Sequence, residues 1–292
     1  MIHEHYIAVD WGSTHLRAWH IRNNDIINQL QVPAGVTRLG EMTAAEVFAR
    51  HIAPWREGNT VPVVMAGMIG SESGWQSVPY ERCPVKLSSL AQRLCAVAEQ
   101  VWIVPGLKVE RDDACNVMRG EETQLLGATA LRPSDCYVMP GTHCKWVQVA
   151  GNQVMRFETV MTGELHHVLM THSLIGASGM QQKPDEVAFR QGLEKGFQSP
   201  SLLPGLFETR AAWVLNVLPR ESVAEYLSGL LIGAEVAAQC RTWQPQSVTL
   251  VGGASLSARY RQAFALAGID VHSCEGDEAF LQGIRSIIDA RH

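Results

Sequence analysis

Short apolar runs separated by Gly- and Asn-containing turns open the chain. Apolar residues concentrate at positions 6–11, 16–21 and 26–32, with Gly12 and the pair Asn23 and Asn24 between them. Tight turns of this composition between β-rich runs are typical of hairpins. The pattern therefore predicts a three-stranded antiparallel meander at the N-terminus.

The same pattern returns about 130 residues later. Apolar runs at 136–139, 145–149 and 154–159 are separated by turns at Gly141 and at Gly151, so that Gly12 aligns with Gly141 and Ser13 with Thr142. An internal repeat constrains the whole fold. It predicts two lobes that each open with a meander, and two hairpin loops that face one ligand from opposite sides.

The rest of the chain alternates between buried strands and amphipathic helices, which indicates an α/β fold. Helices are predicted at 43–55, 87–100, 121–131, 163–174, 184–192, 206–218, 222–239, 256–267 and 278–290, and further strands at 61–65, 101–104 and 248–251. Thr43 followed three residues later by Glu46 predicts a capping box. In the longest helix, Gly229 and Gly233 lie four residues apart.

Composition excludes several classes of protein. The formal net charge is −5, so the basic excess of a nucleic-acid-binding protein is missing. No apolar run reaches the roughly 18–20 residues of a membrane span, and the N-terminus lacks the pattern of a signal peptide. Seven scattered cysteines without a CxxC pair argue against a disulfide framework or a zinc site. We expect a soluble cytoplasmic enzyme without membrane or nucleic-acid partners.

Three loops carry residue types that suit a nucleotide. They contain Asp10, Gly12, Ser13 and Thr14; then Gly141, Thr142, His143 and Lys145; and finally Gly252 and Gly253 before a helix. Glycine lets the backbone approach a phosphate, and exposed N–H groups and hydroxyls bind its oxygens. Asp10 is placed to bind Mg²⁺ directly or through water. Taken singly, each loop is equally well interpreted as an ordinary turn.

Two further segments suit a small polar substrate. Gly70, Ser71, Trp75 and Tyr80 belong to a glycine-dense loop that follows a buried strand, and Arg119, Glu121 and Glu122 stand at a helix start. A carboxylate here would serve as general base, and Arg119 would hold an anionic substrate. The simpler interpretations are a structural loop and acidic residues that favour a helix N-terminus. A Walker A Gly-Lys pair and a Gly-x-Gly-x-x-Gly motif are both missing.

The three loops resemble the nucleotide-binding segments of the actin, hexokinase and heat-shock ATPase superfamily. Three longer motifs, at 139–147, at 119–124 and at 67–71 with Gly74, Trp75, Pro79 and Tyr80, are together similar to the 2-dehydro-3-deoxygalactonokinase family. The likeness covers essentially the whole chain. It departs from the family at Cys115 and Asn116, where the family pattern has Pro-Asp. This departure favours Glu121 or Glu122 as the general base, and Asp112 or Asp113 are the next candidates.

The resemblance implies two actin-like (ribonuclease H-like) lobes, 1–133 and 134–292, with the active site in the cleft between them. The first lobe would hold most of the sugar-acid site, the second the adenosine, and the last helix would pack back on the first lobe. ATP with Mg²⁺ would phosphorylate the C6 hydroxyl of 2-dehydro-3-deoxy-D-galactonate in galactonate catabolism. A homodimer is the default expectation.

Three other functions fit the superfamily. The first is a kinase for another sugar or sugar acid, which a substrate panel would distinguish. The second is a phosphatase or polyphosphate hydrolase, which would release phosphate without an acceptor. The third is a non-enzymatic nucleotide-dependent binding protein.

Overall fold

The computed structural model describes residues 5–176 and 180–291. Two compact units emerge. The first comprises the described residues of Met1–Pro133, Val147–Phe157 and Cys274–His292, and the second those of Ser134–Trp146 and Glu158–Ser273. Among the described residues, no helix combines the length and apolar character that a membrane span requires.

The strands are β1 His5–Trp11, β2 Leu16–Arg22, β3 Asp25–Val32, β4 Val63–Ala66, β5 Glu81–Arg82, β6 Val85–Lys86, β7 Cys95–Ala98, β8 Val101–Ile103, β9 Leu107–Arg111, β10 Ala114–Met118, β11 Cys136–Met139, β12 Cys144–Ala150, β13 Gln153–Val160, β14 Ser247–Gly252 and β15 Asp270–Glu275. The α-helices are α1 Ala44–His51, α2 Glu121–Leu131, α3 Thr162–His172, α4 Glu186–Gln198, α5 Leu202–Val214, α6 Val223–Trp243, α7 Ala254–Ala267 and α8 Gly276–Asp289. The predicted α/β class is confirmed.

The first unit is built on a six-stranded sheet in the order β3-β2-β1-β4-β8-β7. Strands β1, β2 and β3 are antiparallel neighbours, which confirms the first predicted meander. Asn23 and Asn24 adopt positive φ angles of 54° and 69° in its second turn, as a tight turn requires. Strand β4 runs parallel to β1 and to β8, so Asp10 and Ala66 lie side by side at the carboxyl end of the sheet.

In the second unit β11 runs parallel to β14, and the sheet order there is β15-β14-β11-β12. Strands β12 and β13 flank the turn at Gly151 and Asn152, whose φ angles are 55° and 61°. The neighbouring order β11-β12-β13 and the turn at Gly151 were expected from the repeat, whereas the pairing of β11 with β14 was not predicted. Strand β15 was not predicted, because Asp270–Glu275 is mostly exposed and its apolar alternation is weak.

One predicted helix is wrong. Residues 87–100 form a 3-10 helix, Leu87–Arg93, followed by β7, which pairs antiparallel with β8. Residues Cys95–Ala98 form backbone hydrogen bonds with β8 at the edge of the sheet. This tertiary pairing outweighs the local helix propensity on which the prediction was based. The predicted helix start at Thr43 is confirmed, and its side chain and that of Glu46 form the expected capping box.

Glycines allow two pairs of helices to approach closely. A Cβ on Gly229 or Gly233 of α6 would lie 2.0 or 2.2 Å from carbonyl oxygens of α4, so both positions exclude a larger side chain. In the first unit, a Cβ on Gly127 of α2 would lie 1.8 Å from the carbonyl oxygen of Ala279 in α8. This contact fixes α2, and therefore the acidic residues at its start.

Candidate active site

Asp10 lies near the carboxyl end of β1, directly opposite Arg17 on β2. The two side chains form an ion pair, and Arg17 also contacts Asp277 at the start of α8. Burial raises the pKa of Asp10, the charge and hydrogen bond of Arg17 oppose this rise, and Asp277 and Glu121 add to it. The Asp10 carboxylate is thus held at the carboxyl end of a central strand by the neighbouring Arg17 guanidinium.

Two glycines bring the start of α2 close to Asp10. Gly67 follows β4 with φ +98°, and a Cβ on it would lie 2.7 Å from the carbonyl oxygen of Trp11 and 3.4 Å from Asp10 Oδ1. Gly120 has φ +106°, and a Cβ there would lie 3.1 Å from the Cα of Gly67. Only glycine fits such angles and distances without strain. The packing places Glu121 near Asp10.

The two acidic residues at the start of α2 differ in their surroundings. Glu121 is partly exposed and accepts a hydrogen bond from the Arg119 backbone N–H at 3.0 Å. Glu122 is fully buried and accepts from the Gly120 N–H at 2.6 Å and the Thr123 hydroxyl at 3.0 Å. Burial, assisted by the charge of Glu121, raises the pKa of Glu122 to about 8. Glu121 is therefore the carboxylate that a ligand could reach.

Arg119 is a buried cation with unused hydrogen-bond donors. Its side chain donates to the Val78 carbonyl at 2.6 Å from Nη2, and the guanidinium carbon lies 4.1 Å from the centre of the Tyr80 ring. Nε and Nη1 are buried and have no hydrogen-bond partner. A Cβ on Gly70 would lie only 2.7 Å from Nη1. Gly70 and Tyr80 thus frame a cation that lacks a counterion among the described residues.

Two other residues of this loop serve its own structure. The Ser71 hydroxyl donates to the Met68 carbonyl at 2.7 Å. The Trp75 ring packs against Phe48, with ring centres 5.0 Å apart. Both were predicted to belong to a loop that suits a small polar substrate, but the contacts observed here stabilise the loop itself.

The remaining base candidates, Asp112 and Asp113, lie at the exposed tip of the β9–β10 hairpin. Asp113 pairs with Arg111 at 3.3 Å. Strand β10 separates them from Arg119, a span on the order of 15–20 Å at about 3.3 Å per residue. They are poor candidates for the base, because they are remote from the other predicted groups.

The Gly12 loop has a fixed backbone. The N–H of Gly12 donates to the His15 carbonyl at 2.9 Å, and the Ser13 carbonyl accepts from the Thr37 N–H at 2.9 Å. A Cβ on Gly35 would collide with Ser13 at 2.3 Å. Gly12 therefore has no free N–H for a phosphate, whereas the side chains of Ser13 and Thr14 are exposed.

In the second unit, the Gly141 loop lies against the N-terminus of α3. The Glu164 N–H donates to the Thr142 carbonyl at 3.0 Å, and a Cβ on Gly163 would lie 2.6 Å from the Gly141 carbonyl oxygen. Space around Gly141 itself is open. The free N–H groups and dipole of a helix N-terminus favour an anion at such a place.

His143 and Lys145, both predicted to contribute positive charge, have partners within the second unit. His143 Nε2 lies 2.5 Å from a carboxylate oxygen of Glu164. Lys145 is buried and its Nζ donates to the His143 carbonyl at 3.1 Å. His143 is exposed, so of the two it is the one that a ligand reaches directly.

A cavity of about 140 Å³ connects the Gly141 loop with α7. It is lined by Gly141, Thr162, Gly163, His166, Ser228, Leu231, Ile232, Leu256 and Tyr260. Gly252 and Gly253, which join β14 to α7, stand at the start of the helix that supplies Leu256 and Tyr260, and a Cβ on Gly253 would meet open space. Two of the three predicted nucleotide segments thus belong to one region of the second unit.

Glu235, which sequence reasoning missed, stands behind this cavity. Its buried carboxylate accepts hydrogen bonds from Trp146 Nε1 at 2.8 Å, the Thr162 hydroxyl at 2.5 Å and the Tyr260 hydroxyl at 2.6 Å. It thereby joins β12, the start of α3 and α7. The available signal was a single acidic residue within the long apolar stretch of α6.

Asp10 has the donor chemistry that Mg²⁺ prefers. Mg²⁺ keeps several waters and binds through one or two carboxylates together with substrate phosphates. Across residues 5–176 and 180–291, no cluster of three or more His, Cys, Asp or Glu side chains could hold a metal without such help. One partly buried carboxylate at the sheet edge fits a metal delivered with a nucleotide.

A family model described as 2-keto-3-deoxy-galactonokinase matches residues 10–287. The 2-dehydro-3-deoxygalactonokinase of Escherichia coli (strain K12) is 55% identical over 286 residues, which cover 98% of both chains. A solved structure of a 2-dehydro-3-deoxygalactonokinase protein from Sinorhizobium meliloti has a TM-score of 0.89 at 32% identity, covering 98% of this chain and 96% of that one.

A more distant structure matches in fold alone. The activator of the 2-hydroxyisocaproyl-CoA dehydratase from Clostridium difficile, solved with bound ADPNP, has a TM-score of 0.51 at 12% identity and covers 98% of this chain and 94% of its own. The fold class predicted from the sequence is confirmed.

Proposed function

We propose that this chain, which belongs to the 2-keto-3-deoxy-galactonokinase family, transfers the γ-phosphoryl group of ATP to the C6 hydroxyl of 2-dehydro-3-deoxy-D-galactonate. It is an ATP-dependent sugar kinase, and its 55% identical relative is named 2-dehydro-3-deoxygalactonokinase. The observation that carries the substrate assignment is Arg119, a buried cation with two unpartnered nitrogen atoms.

Arg119 favours a sugar acid over a neutral sugar. A buried charge without a counterion is unfavourable by several kcal/mol, and a carboxylate that accepts a hydrogen bond from Nε or Nη1 would reduce that penalty. Nε and Nη1 point to different sides of the planar guanidinium, so each would donate to a separate acceptor atom of the ligand. A neutral hexose would leave the charge uncompensated. The absence of a side chain at Gly70 accommodates Nη1, and the Tyr80 ring centre lies 4.1 Å from the guanidinium carbon.

We assign the general base to Glu121 and a positioning role to Glu122. Glu121 is reachable and lies near Asp10, so it suits the proton of the attacking hydroxyl. Glu122 uses its oxygens to hold Gly120 and Thr123, and its raised pKa makes it mostly protonated at neutral pH. A protonated carboxyl is a poor base, whereas it is a good hydrogen-bonding anchor for the loop.

Asp10 would hold Mg²⁺ at the carboxyl end of β1. When bound, Mg²⁺ neutralises charge that develops on the phosphate oxygens. The exposed hydroxyls of Ser13 and Thr14 are placed to donate to those oxygens. Arg17 keeps the Asp10 carboxylate oriented through their ion pair. Phosphoryl transfer depends mainly on such alignment and charge neutralisation.

The second unit would bind the nucleotide. Open space at Gly141, the N-terminus of α3 and the adjoining cavity support phosphate binding at the Gly141–Thr142 loop. Gly252 and Gly253 at the start of α7 suit an adenosine or its α-phosphate, as predicted from the sequence. His143 is exposed at the same loop, where it contacts Glu164. A cytoplasmic location stays a prediction.

ADP formation by the purified protein tests this proposal. The acceptors are 2-dehydro-3-deoxygalactonate, its gluconate epimer, and an analogue whose carboxylate is replaced by an amide, each with and without excess EDTA. We expect turnover with the galactonate compound, little with the amide, and none after metal removal. Equal turnover with the amide would contradict the role of Arg119. Phosphate release without any acceptor would favour a hydrolase instead.

A further inference from the structure

Arg17 lies between two carboxylates that come from opposite ends of the chain. Its Nη2 contacts Asp10 on β1, and its Nη1 contacts Asp277 in the first turn of α8. The side chain of Asp277 is 46% exposed, whereas that of Asp10 is 18% exposed. One guanidinium therefore serves two partners, and the contact with Asp277 is the one nearer to solvent.

Asp277 is not needed to begin its own helix. The side chain of Glu275 is the N-cap of α8 and accepts hydrogen bonds from the N–H groups of Asp277 at 2.7 Å and Glu278 at 3.1 Å. Acidic residues at a helix start commonly accept from such N–H groups. Because Glu275 already satisfies them, helix capping does not account for the contact of Asp277 with Arg17.

The packing of α8 fixes Asp277 beside β2. Phe280, one turn further along the helix, is buried against Trp19 of β2, with ring centres 5.5 Å apart. The guanidinium carbon of Arg17 lies 5.6 Å from the centre of the same Trp19 ring. Arg17 and Asp277 are thus held by one contact between β2 and α8, so their ion pair belongs to the packed part of the first unit.

The charges around Asp10 indicate what the second carboxylate does. Burial raises the pKa of Asp10, and the negative charges of Asp277 and Glu121 add to this rise. The positive charge of Arg17 opposes it. If Arg17 had Asp10 as its only partner, the guanidinium would neutralise that carboxylate and repel a divalent cation bound to it. Asp277 supplies a second negative charge that balances Arg17.

The contact with Arg17 occupies only one oxygen of Asp10. Arg17 contacts Oδ2, whereas Oδ1 lies towards Gly67, on which a Cβ would be 3.4 Å from that oxygen. A carboxylate accepts through both oxygens, and Mg²⁺ takes one or two carboxylates together with waters and phosphate oxygens. An ion bound at Oδ1 would therefore not have to break the contact between Arg17 and Oδ2.

We infer that Asp277 is a positioning residue for the metal site: by pairing with Arg17, it balances the charge of the guanidinium and leaves the Asp10 carboxylate available to Mg²⁺. The inference rests on the proposed function, in which Asp10 binds Mg²⁺ with ATP. Asp277 acts through Arg17. The sequence gave no reason to select it, because an acidic residue in the first turn of a helix is common.

Calorimetric titration with ATP at a series of free Mg²⁺ concentrations, and with EDTA in place of the metal, tests this role without turnover. We expect Mg²⁺ to strengthen ATP binding to the unmodified protein. In Asp277→Asn the Mg²⁺ concentration for half the effect should rise about fivefold, as expected for a partly exposed ion pair. ATP affinity in EDTA should stay level or increase, because Arg17 loses a competing carboxylate. Equal weakening under both conditions would indicate a purely structural residue and contradict the inference.

Three further variants keep the test independent of folding losses. Glu278→Gln is the matched control, because it removes one negative charge from the same helical turn, while its side chain lines a separate cavity with Tyr6 and Arg285. It should leave the Mg²⁺ dependence unchanged. Asp277→Glu retains the charge and should restore the dependence. In an Arg17→Gln background, Asp277→Asn should have no further effect, since the charge that it balances is absent.

The outcomes separate this inference from the proposed function. An unmodified protein whose ATP affinity does not respond to Mg²⁺ would contradict both. A normal response with an unchanged midpoint in Asp277→Asn would overturn the role of Asp277 alone. The same conclusion would follow from an equal shift in Glu278→Gln or Asp277→Glu, or from a full effect of Asp277→Asn in the Arg17→Gln background.

Discussion

Arg119 in the first unit and Glu235 in the second are both buried charges, but their polar atoms are satisfied very differently. Arg119 has two nitrogen atoms without a partner, whereas Glu235 accepts three hydrogen bonds from Trp146, Thr162 and Tyr260. A buried polar group without a partner is unfavourable, and folding alone gives no reason to keep one. We infer from this difference that Arg119 binds a ligand, as proposed above, and that Glu235 stabilises the protein.

The difference also indicates how each unit prepares its site. In the first unit, Arg119 keeps two nitrogen atoms without hydrogen-bond partners, and we propose that the carboxylate of the substrate binds there. In the second unit a satisfied carboxylate joins three elements, so that the cavity beside the Gly141 loop keeps its shape before a nucleotide arrives. We propose that the first arrangement selects the substrate and that the second maintains the geometry of the cavity.

The largest effect is expected at Arg119. Arg119→Met should lower kcat/KM for the sugar acid by about 10²–10³-fold, equivalent to about 3–4 kcal/mol, because the substrate carboxylate loses its buried partner. Nucleotide affinity should not change. The thermal midpoint should rise or stay level, since an unpaired buried charge is removed. Steady-state kinetics, calorimetric titration with each ligand and thermal unfolding measure the three quantities.

Arg119→Lys is the matched control, because it keeps the charge and loses the planar guanidinium. Its kcat/KM should lie between the values of the unmodified protein and of Arg119→Met. A variant Arg119→Met with kcat/KM within threefold of the unmodified protein would contradict the ligand role. A large loss of stability would instead make Arg119 resemble Glu235 and remove the contrast.

Glu235 should show the opposite balance. Glu235→Leu leaves three donors unpartnered, so we expect a loss of about 3 kcal/mol in unfolding free energy, and Glu235→Gln should lose less. ATP affinity should fall about tenfold in the glutamine variant, because Thr162 begins the helix that supports the Gly141 loop. Sugar-acid affinity should remain unchanged. Chemical unfolding and nucleotide titration check these values, with Glu194→Gln on the exposed face of α4 as control.

Two glycines offer a finer test of the same contrast. Gly70→Ala would press on Arg119 Nη1, and Gly163→Ala would press on the Gly141 carbonyl. We expect the first to raise the KM for the sugar acid by about tenfold and the second to raise the KM for ATP by about the same factor, each near 1.4 kcal/mol. Kinetics with either substrate varied should separate them. If both variants affected the same substrate, the assignment of ligands to the two units would be wrong.

Local sequence signals predicted much of the fold. The repeated meanders and their Asn and Gly turns were expected because turn residues act over a few positions, and so was the capping box at Thr43. The failure at 87–100 has a different origin, since β7 exists only because β8 lies beside it. That neighbour is a property of the sheet, and residues 95–98 do not reveal it.

The sequence predicted which residues belong to the candidate site, but not which of their polar atoms have hydrogen-bond partners. Asp10, Arg119 and Glu121 were selected from motifs and family resemblance. Whether Arg119 lacks partners depends on Gly70 and Val78, which lie more than 40 residues away along the chain. Glu235 was missed because its three donors come from β12, α3 and α7, and no local pattern connects them.

Glu122 is intermediate between Arg119, which has unpartnered nitrogen atoms, and Glu235, which accepts three hydrogen bonds. The pH dependence of stability tests whether Glu122 is protonated in the folded protein. Its carboxyl has two hydrogen-bond donors, yet burial beside Glu121 raises its pKa to about 8. The folded protein therefore binds this proton more tightly than the unfolded chain does. The resulting stability is complete at acidic pH and is lost as the pH rises towards 8, with a slope of roughly 1 kcal/mol per pH unit. Above pH 8 the contribution should be constant.

Glu122→Gln keeps a neutral side chain of the same shape and has no proton to lose. The difference in unfolding free energy between the two proteins should therefore move in favour of the variant by roughly 1 kcal/mol from pH 6.5 to 7.5, since titrating groups that do not interact with Glu122 cancel. Urea unfolding at several pH values gives this difference. A flat difference, or one that favours the unmodified protein as pH rises, would show that Glu122 is ionised when folded. It would then compete with Glu121 for the role of base.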